Sequence, residues 1–406
     1  MNRITTAQID NADKGKLQIN VTSDMTSYPI SEAKISITYT GVPESPIEEL
    51  TTDSSGQTEV LEPQPYSEYT LNVSAPGFEP LSIAGAEILP DVTAIQNITM
   101  HPMTDPEPPE DVFVIPAHTL YGEYPPKIPE DEIKPLQETG EIVLSRVVVP
   151  EYIVVHDGSP RDSTAKNYYV KYKDYIKNVA SSEIYATWPQ DTIRANVLAI
   201  MSFTLNRVYT EWYRNQGYDF TITSSTAFDH KWIPERNVFD TISEIVDEQF
   251  ASYLSRPNVR QPILTQYCDG RRVQCPNWMT QWGSKALGDQ GYSPIEILRY
   301  YYGDNMYINT AQEISGVPSS WPGYTLSNGS SGDKVRQMQE QLNVIAGAYP
   351  AIPKVTVDGI YGPATAASVR KFQSVFGLPE TGTVDYRTWY KISEIYVGVS
   401  RIAELV

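Results

Sequence analysis

Between residues 101 and 138 the chain reads HPMTDPEPPED and then GEYPPKIPEDEIKP, and no single hydrophobic core can be carried across that stretch. Proline removes backbone donors and fixes φ, and the interleaved acids repel one another, so the run is expected to be extended and exposed. A chain of 406 residues has room for two or three domains. The Pro-and-acid run is the obvious boundary between the first and the rest. A protease could reach the backbone here, or just beyond it where the apolar EIVLSRVVVPEYIVVH begins.

The formal charge of −19 divides at the same place. Residues 1–145 hold 24 acids against 6 bases, whereas residues 146–406 hold 26 against 25. The acidity therefore belongs to a functionally separate front half. No basic stripe is present, which argues against nucleic acid as a partner, and the anionic front would tend to be repelled by an anionic polymer. No apolar run approaches the roughly 18 residues of a membrane span. The N-terminal MNRITTAQIDNADKGK lacks the apolar centre of a secretory leader, so export by the general pathway is not expected.

Residues 1–101 alternate in short strand-like pieces, KLQINVTS, AKISITYT, QTEVLE, YTLNVSA, LSIAGAEIL and AIQNITM, separated by turn chemistry at Asp53-Ser54-Ser55-Gly56 and Pro76-Gly77. That spacing predicts a small all-β sandwich. After the linker of 102–146, residues 147–320 mix a strand (VVVPEYIVVHDG) with helices at YKDYIKNVAS, DTIRANVLAIMSFTLNRVYTEWYR, FDTISEIVDEQFASYL and SPIEILRYYYG, an α+β domain. Residues 326–406 carry apolar positions at helical spacing, Val335, Met338 and Leu342, then Val369, Phe372 and Val375, in a three-helix pattern followed by a C-terminal helix.

The central domain contains the sharpest local signal. In SSEIYATWPQDTIRANVLAIMSFTLNR, Thr187 and Gln190 have the spacing of a capping box and Pro189 suits a first turn, so a helix is expected from about Trp188. Ile193, Val197, Ile200, Met201, Thr204 and Val208 then mark one buried face. Glu183 is placed on the loop entering that helix. As a plain structural residue it would partner the helix N-terminal dipole.

The same stretch, Glu183 followed by an aromatic, Pro189 and a long helix with a small or aliphatic run, resembles the stage II sporulation protein D (SpoIID) family of lytic transglycosylases. The resemblance implies that Glu183 is the catalytic acid. It also exposes departures: Asn196 stands in place of a Gln, Met201 in place of an Arg, and Arg207 lies six residues further on. At the C-terminus, GxxGxxVxxxQxxL from Gly329 to Leu342, DGxxGxxTxxxVxxFQ from Asp358 to Gln373, and Thr388-Trp389 closely resemble the three-helix peptidoglycan-binding domain. The loop of Asp358, Gly359, Tyr361 and Gly362 is the expected contact there. TTDSSGQTEV and YTLNVSAPGFEP resemble the prealbumin-type, carboxypeptidase-regulatory-like sandwiches. The order of modules, with QYCDGRRVQCPNWMTQWGS and SPIEILRYYYG, resembles the SleC-like group of clostridial spore cortex-lytic enzymes. That likeness implies a proform activated by a protease, and a place in the spore cortex or coat region, or the cell envelope.

For such a chemistry one acid suffices. It protonates the departing glycosidic oxygen between MurNAc and GlcNAc, and the sugar's own 6-hydroxyl closes a 1,6-anhydro ring, with no second carboxylate of the kind hydrolases need. Tyr185 and Trp188 are candidates for the apolar side of the pocket. Asp229 and Asp174 are the best second acids if one is used, and each alone is more often a capping or surface residue. His230, Tyr267, Gln281 and Trp282 complete the candidate glycan contacts, with Trp232 and Trp278 as further possible walls. Cys268 and Cys275 read as paired thiols or a disulfide, as free structural cysteines, or, although the spacing is not a standard zinc motif, as a zinc site with His230. His156 reads as structural. No cofactor or metal is expected. Two competing functions remain open: a zinc-dependent N-acetylmuramoyl-L-alanine amidase, and a non-catalytic peptidoglycan-binding envelope protein.

Overall fold

The computed structural model describes residues 14–23, 27–43, 46–104, 110–120, 122, 144–275 and 277–400. The expected processing region falls mainly on residues 123–143, outside the described ones. The chain forms two compact units, residues 1–116 with 316–406, and residues 117–315. This differs from the sequence expectation that 102–146 is one exposed linker. Residues 111–114 are a strand, Ile115 and Leu120 are buried, and 117–120 belongs to the second unit. The apolar VFVI and the leucine at 120 were hidden inside an average dominated by Pro and acids.

Seven strands build the N-terminal part: β1 Lys16–Ser23, β2 Lys34–Tyr39, β3 Glu48–Thr51, β4 Glu68–Ser74, β5 Leu81–Glu87, β6 Thr93–Met100 and β7 Asp111–Val114. Strands β1 and β6 pair in parallel, and the other sheet runs in the order β3-β2-β4-β5-β7, antiparallel except for β5 with β7. Alternate residues face inward, so Leu17, Ile19, Val21, Ile35, Ile37, Leu71, Val73 and Ile83 form the core. The Asp53–Gly56 turn closes as expected: Asp53 Oδ1 accepts from the amides of Ser55 and Gln57. Gly56 has φ +72°, and a Cβ there would lie 2.4 Å from the Val21 carbonyl oxygen, so no other residue fits without displacing β1.

The second unit is organised around helices. Tyr152–His156 pairs antiparallel with Asn167–Lys171 and parallel with Ile222–Thr223; the strand expected over 147–158 is interrupted at Pro150, which cannot donate to a ladder. Five helices follow: α1 Tyr172–Glu183, α2 Gln190–Tyr209, α3 Asp240–Gln249, α4 Gln281–Asp289 and α5 Pro294–Tyr302. Nearly every α2 residue from Thr192 to Arg207 is buried, so the helix is enclosed on all sides rather than amphipathic. The helix expected to continue to Leu254 stops at Gln249, because Ser252–Ser255 is a strand paired with Tyr307–Thr310. Lys177 reaches Asp247 Oδ2 at 2.8 Å and Lys173 reaches its other oxygen at 3.3 Å, a largely buried pairing that ties α1 to α3. At α5 the Glu296 carboxylate accepts from the Ser293 amide at 2.9 Å, Pro294 opens the first turn and Gly303 at φ +91° ends the helix.

The C-terminal part has three helices, α6 Asp333–Ala348, α7 Pro363–Val375 and α8 Tyr386–Ser400, with Val335, Met338, Leu342, Val369, Phe372, Val375 and Trp389 all buried as the spacing predicts. An internal repeat explains their arrangement. Val335 and Gln339 on α6 correspond to Val369 and Gln373 on α7, and each buried glutamine braces a loop. Gln339 Oε1 accepts from the Gly359 amide at 2.8 Å, and Gln373 Oε1 accepts from the Gly382 amide at the same distance. Both glycines sit at positive φ, +75° and +68°. A buried amide donor left without that partner would cost about 1–3 kcal/mol.

Candidate active site

Glu183 is the last residue of α1, not a residue on the entry to α2. Ile184 turns extended, and the chain reaches Gln190 before α2 begins. The expected capping box is absent. Pro189 is the N-cap without a side-chain bond, Thr187 is exposed, and the Trp188 amide goes to the Tyr185 carbonyl at 3.1 Å. Placement at a helix C-terminus removes the proposed dipole role, because that end presents carbonyls and not amide donors.

Glu183 is 4% exposed, and its carboxylate is gripped at both oxygens. Oε1 accepts from the Lys231 backbone N–H at 2.6 Å, and Oε2 accepts a short hydrogen bond from the Tyr267 hydroxyl. The two-residue pairing of Tyr267–Cys268 with Met279–Thr280 brings Tyr267 beside the start of α4. From there Gln281 Nε2 donates to the Glu183 carbonyl at 3.0 Å. Thus Tyr267 and Gln281, both candidates from sequence, converge on the acid as positioning groups. His230 is fully buried between the rings of Phe203 (4.5 Å) and Tyr267 (5.8 Å, 15° between planes), and its Nδ1 lies 2.9 Å from the Tyr175 hydroxyl. Burial first, then the Asp229 and Glu183 charges, push the Tyr175 phenol well above its usual range, so it keeps its proton. His230 is therefore a buried residue packed behind Tyr267.

Asp229 is corrected in the same way. Its buried carboxylate takes Arg207 Nε at 2.9 Å on one oxygen, and Tyr213 OH at 2.5 Å, Thr223 N at 3.0 Å and Thr223 Oγ1 at 2.8 Å on the other. Burial and this charge push the Tyr213 phenol far up. Asp229 is thus a structural acid whose role is to neutralise the buried Arg207. Asp174 is exposed in the first turn of α1, nine residues from Glu183, which at the helical rise is about 13 Å along the axis. Asp229 is thus engaged by Arg207, and Asp174 is remote from the Glu183 carboxylate.

Three of the candidate aromatics cluster, with Trp188 buried and Tyr185 and Trp282 half-buried. Tyr185, Trp188 and Trp282 stand at 5.8, 6.1 and 5.1 Å in the pairs Tyr185–Trp188, Tyr185–Trp282 and Trp188–Trp282. The exposed Arg271 guanidinium lies 3.6 Å over the Trp282 ring. Trp232 is core, packed at 5.1 Å on Tyr168, while Trp278 remains partly exposed. Asn196, Met201 and Arg207 all point inward. Met201 is fully buried, Asn196 donates to Thr192 O and Ser284 Oγ, both at 2.8 Å, and Arg207 is taken by Asp229.

Cys268 is paired with Cys275 as a disulfide. His230 binds Tyr175, and His156 binds Asn167 Oδ1 at 2.8 Å and Ser159 O at 3.1 Å while stacking on Phe220 at 4.4 Å. The groups that a zinc amidase would recruit are engaged separately and do not converge. Sequence reasoning missed Lys231, whose contribution is a backbone amide and carries no side-chain signature, and Arg236, which donates to Ser181 O at 3.0 Å.

In the C-terminal loop, Asp358 Oδ1 accepts from Gln339 Nε2 at 3.0 Å and from the Ile360 amide at 2.8 Å, Gly359 is buried, and the buried Tyr361 donates to Gly382 O at 2.9 Å. These three residues hold the module together, and Tyr361 is turned away from solvent.

Residues 331–392 match the family described as a putative peptidoglycan binding domain. A zinc D-Ala-D-Ala carboxypeptidase from Streptomyces albus G is 44% identical over 77 residues, 19% of this chain and 28% of that protein. An uncharacterized protein of Kitasatospora aureofaciens is 40% identical over 83 residues, 20% of this chain and 64% of its own length. The alignments thus span less than two thirds of both relatives. Among solved structures, the SleB N-terminal domain is 27% identical with a TM-score of 0.17, covering 19% of this chain and 99% of that one. The minor pilin GBS52 of Streptococcus agalactiae is 18% identical with a TM-score of 0.20, covering 24% and 48%. No helix among the described residues is long and apolar enough to cross a membrane. The C-terminal helical module carries the match that relates this multidomain chain to peptidoglycan and the cell wall.

Proposed function

We propose that the chain is a lytic transglycosylase acting on spore cortex peptidoglycan, made as a proform that a protease activates. The observation that carries this reading is the buried Glu183 carboxyl, held at both oxygens beside Tyr185, while the other acids are engaged or remote: Asp229 is taken by Arg207, the buried Asp269 accepts from the backbone amides of Arg271, Arg272 and Val273, and Asp174 is exposed at the far end of α1. An inverting or retaining hydrolase needs a second carboxylate. A transglycosylase does not.

In this mechanism the Glu183 carboxylic acid transfers its proton to the glycosidic oxygen as the bond to the anomeric carbon of MurNAc breaks. The C6 hydroxyl of the same sugar attacks that carbon and gives its proton back to Glu183, leaving a 1,6-anhydro end and a free GlcNAc hydroxyl with no water consumed. Tyr267 suits both halves, because a phenol donates to the carboxylate and accepts from the acid, so Glu183 keeps its orientation as its proton leaves and returns. The Lys231 amide holds the other oxygen throughout. The peptidoglycan-binding module would keep the polymer near the cleft, raising the local concentration of bonds to cut.

Digestion of cortex peptidoglycan followed by mass spectrometry of the fragments tests the reading. Anhydro-muramic ends that vanish in Glu183→Gln are expected. Free stem peptides would instead indicate an amidase, and an unchanged glycan a binding protein.

A further inference from the structure

Residues 117–120 lie within a run whose composition predicts exposure, yet they are packed onto the groups that surround Glu183. The His118 ring lies 4.5 Å from the Tyr185 ring at 30°, and its Nδ1 accepts from Arg236 Nη2 at 3.4 Å. Thr119 presents its carbonyl and its hydroxyl oxygen to Lys231 Nζ at 3.2 and 3.1 Å. Leu120 is 6% exposed, and Gly122 is so close to Thr226 that a Cβ would meet its hydroxyl at 2.2 Å. The residues that receive this segment are tied to the acid: Tyr185 is two positions beyond it, and the Lys231 amide binds its Oε1.

The chemistry of the contact is that of a bound sugar. A flat ring lies against an aromatic face, and oxygen acceptors point at a cation, as a pyranose would offer its apolar face and its hydroxyls or N-acetyl carbonyl. On the reading that the Glu183 cleft takes glycan, we infer that His118–Leu120 is a built-in competitor seated in a glycan subsite formed by Tyr185, Lys231 and Arg236. Those three side chains become substrate-binding when the segment leaves. The chain is silent while the segment is seated, and cleavage beyond residue 122 would loosen it by detaching its downstream end.

The test uses the full chain carrying Glu183→Gln, so that ligand persists, and a soluble GlcNAc–MurNAc tetrasaccharide as probe. Titration calorimetry should show the affinity rising about tenfold or more when His118→Ala and Thr119→Gly are added, since the free subsite no longer has to be vacated, and falling again when Lys231→Ala is added to that variant. Amide exchange provides a second measurement that needs no segment variant: saturating saccharide should speed exchange at residues 117–120. Equal affinities with and without the segment substitutions, unchanged or slowed exchange there, or no binding to either chain would each overturn the inference. Failure of the transglycosylase reading would register separately, as the absence of anhydro ends, because neither measurement requires turnover.

Discussion

The surroundings of Glu183 and the C-terminal module use buried polar groups to opposite ends. In the module, Gln339 and Gln373 spend their amides on loop backbone, and the Tyr361 hydroxyl donates to the Gly382 carbonyl, so the polar interior is closed on itself. Around Glu183, the protein gathers a backbone N–H and a phenol onto one carboxylate, with Tyr185, Trp188 and Trp282 clustered nearby in the same unit. The first arrangement fixes loop backbone. The second fixes one acid, which is what the proposed proton transfer would require.

The largest effect should come from Glu183→Gln, with anhydro-product formation falling about 10³-fold, the scale of a lost general acid, while retention on insoluble peptidoglycan is unchanged. Loss of retention would break the separation of roles. Asp229→Asn should lower stability by about 3–5 kcal/mol in a urea melt, because it leaves Arg207 as an uncompensated buried charge. An active-site role would instead be exposed by lost turnover at undiminished stability. Tyr267→Phe is expected to cut turnover by about 10- to 100-fold with little change in KM, the loss of one charge-assisted bond to the acid; pre-steady-state product analysis separates the two parameters.

Gln373→Ala should destabilise the C-terminal part of the full chain by about 1–3 kcal/mol and weaken retention on insoluble peptidoglycan, leaving cleavage of soluble fragments intact. A fall in soluble-fragment turnover would blur the contrast. The smallest effect concerns acid. Hydrogen bonds from the Ile360 amide and Gln339 hold the Asp358 carboxyl below its usual range. A depressed folded-state value means that its contribution is present above the ordinary carboxylate pKa and is lost as pH falls through the lower one. Amide shifts of Gly359 and Ile360, followed by NMR, should therefore move only below about pH 4.

The same contrast explains what could be read in advance. Helices α6 and α7 were legible because Val335, Met338, Leu342, Val369, Phe372 and Val375 repeat at helical spacing and are all buried. Glu183, Tyr185 and Trp188 could be picked out as residue types beside a strong helix signal, whereas nothing in the sequence marked α4, which carries Trp282. Their geometry was not legible. The capping-box spacing at Thr187 and Gln190 suggested a helix start that the Trp188–Tyr185 turn overrides, and only the fold places Asp229 opposite Arg207. The Pro and acid content of 102–146 concealed β7 and the buried Leu120, since composition averages over the few apolar residues that decide packing.

The Lys231 contact has a further bearing on how this acid can drift or be disabled. Half of its grip is main chain, so every side chain at position 231 except one leaves that donor in place, and selection on the lysine is free to follow other demands. Proline alone lacks the N–H. A scan of alanine substitutions would thus pass over a principal anchor of the Glu183 carboxylate, and Lys231→Pro is the change at that position that deletes it.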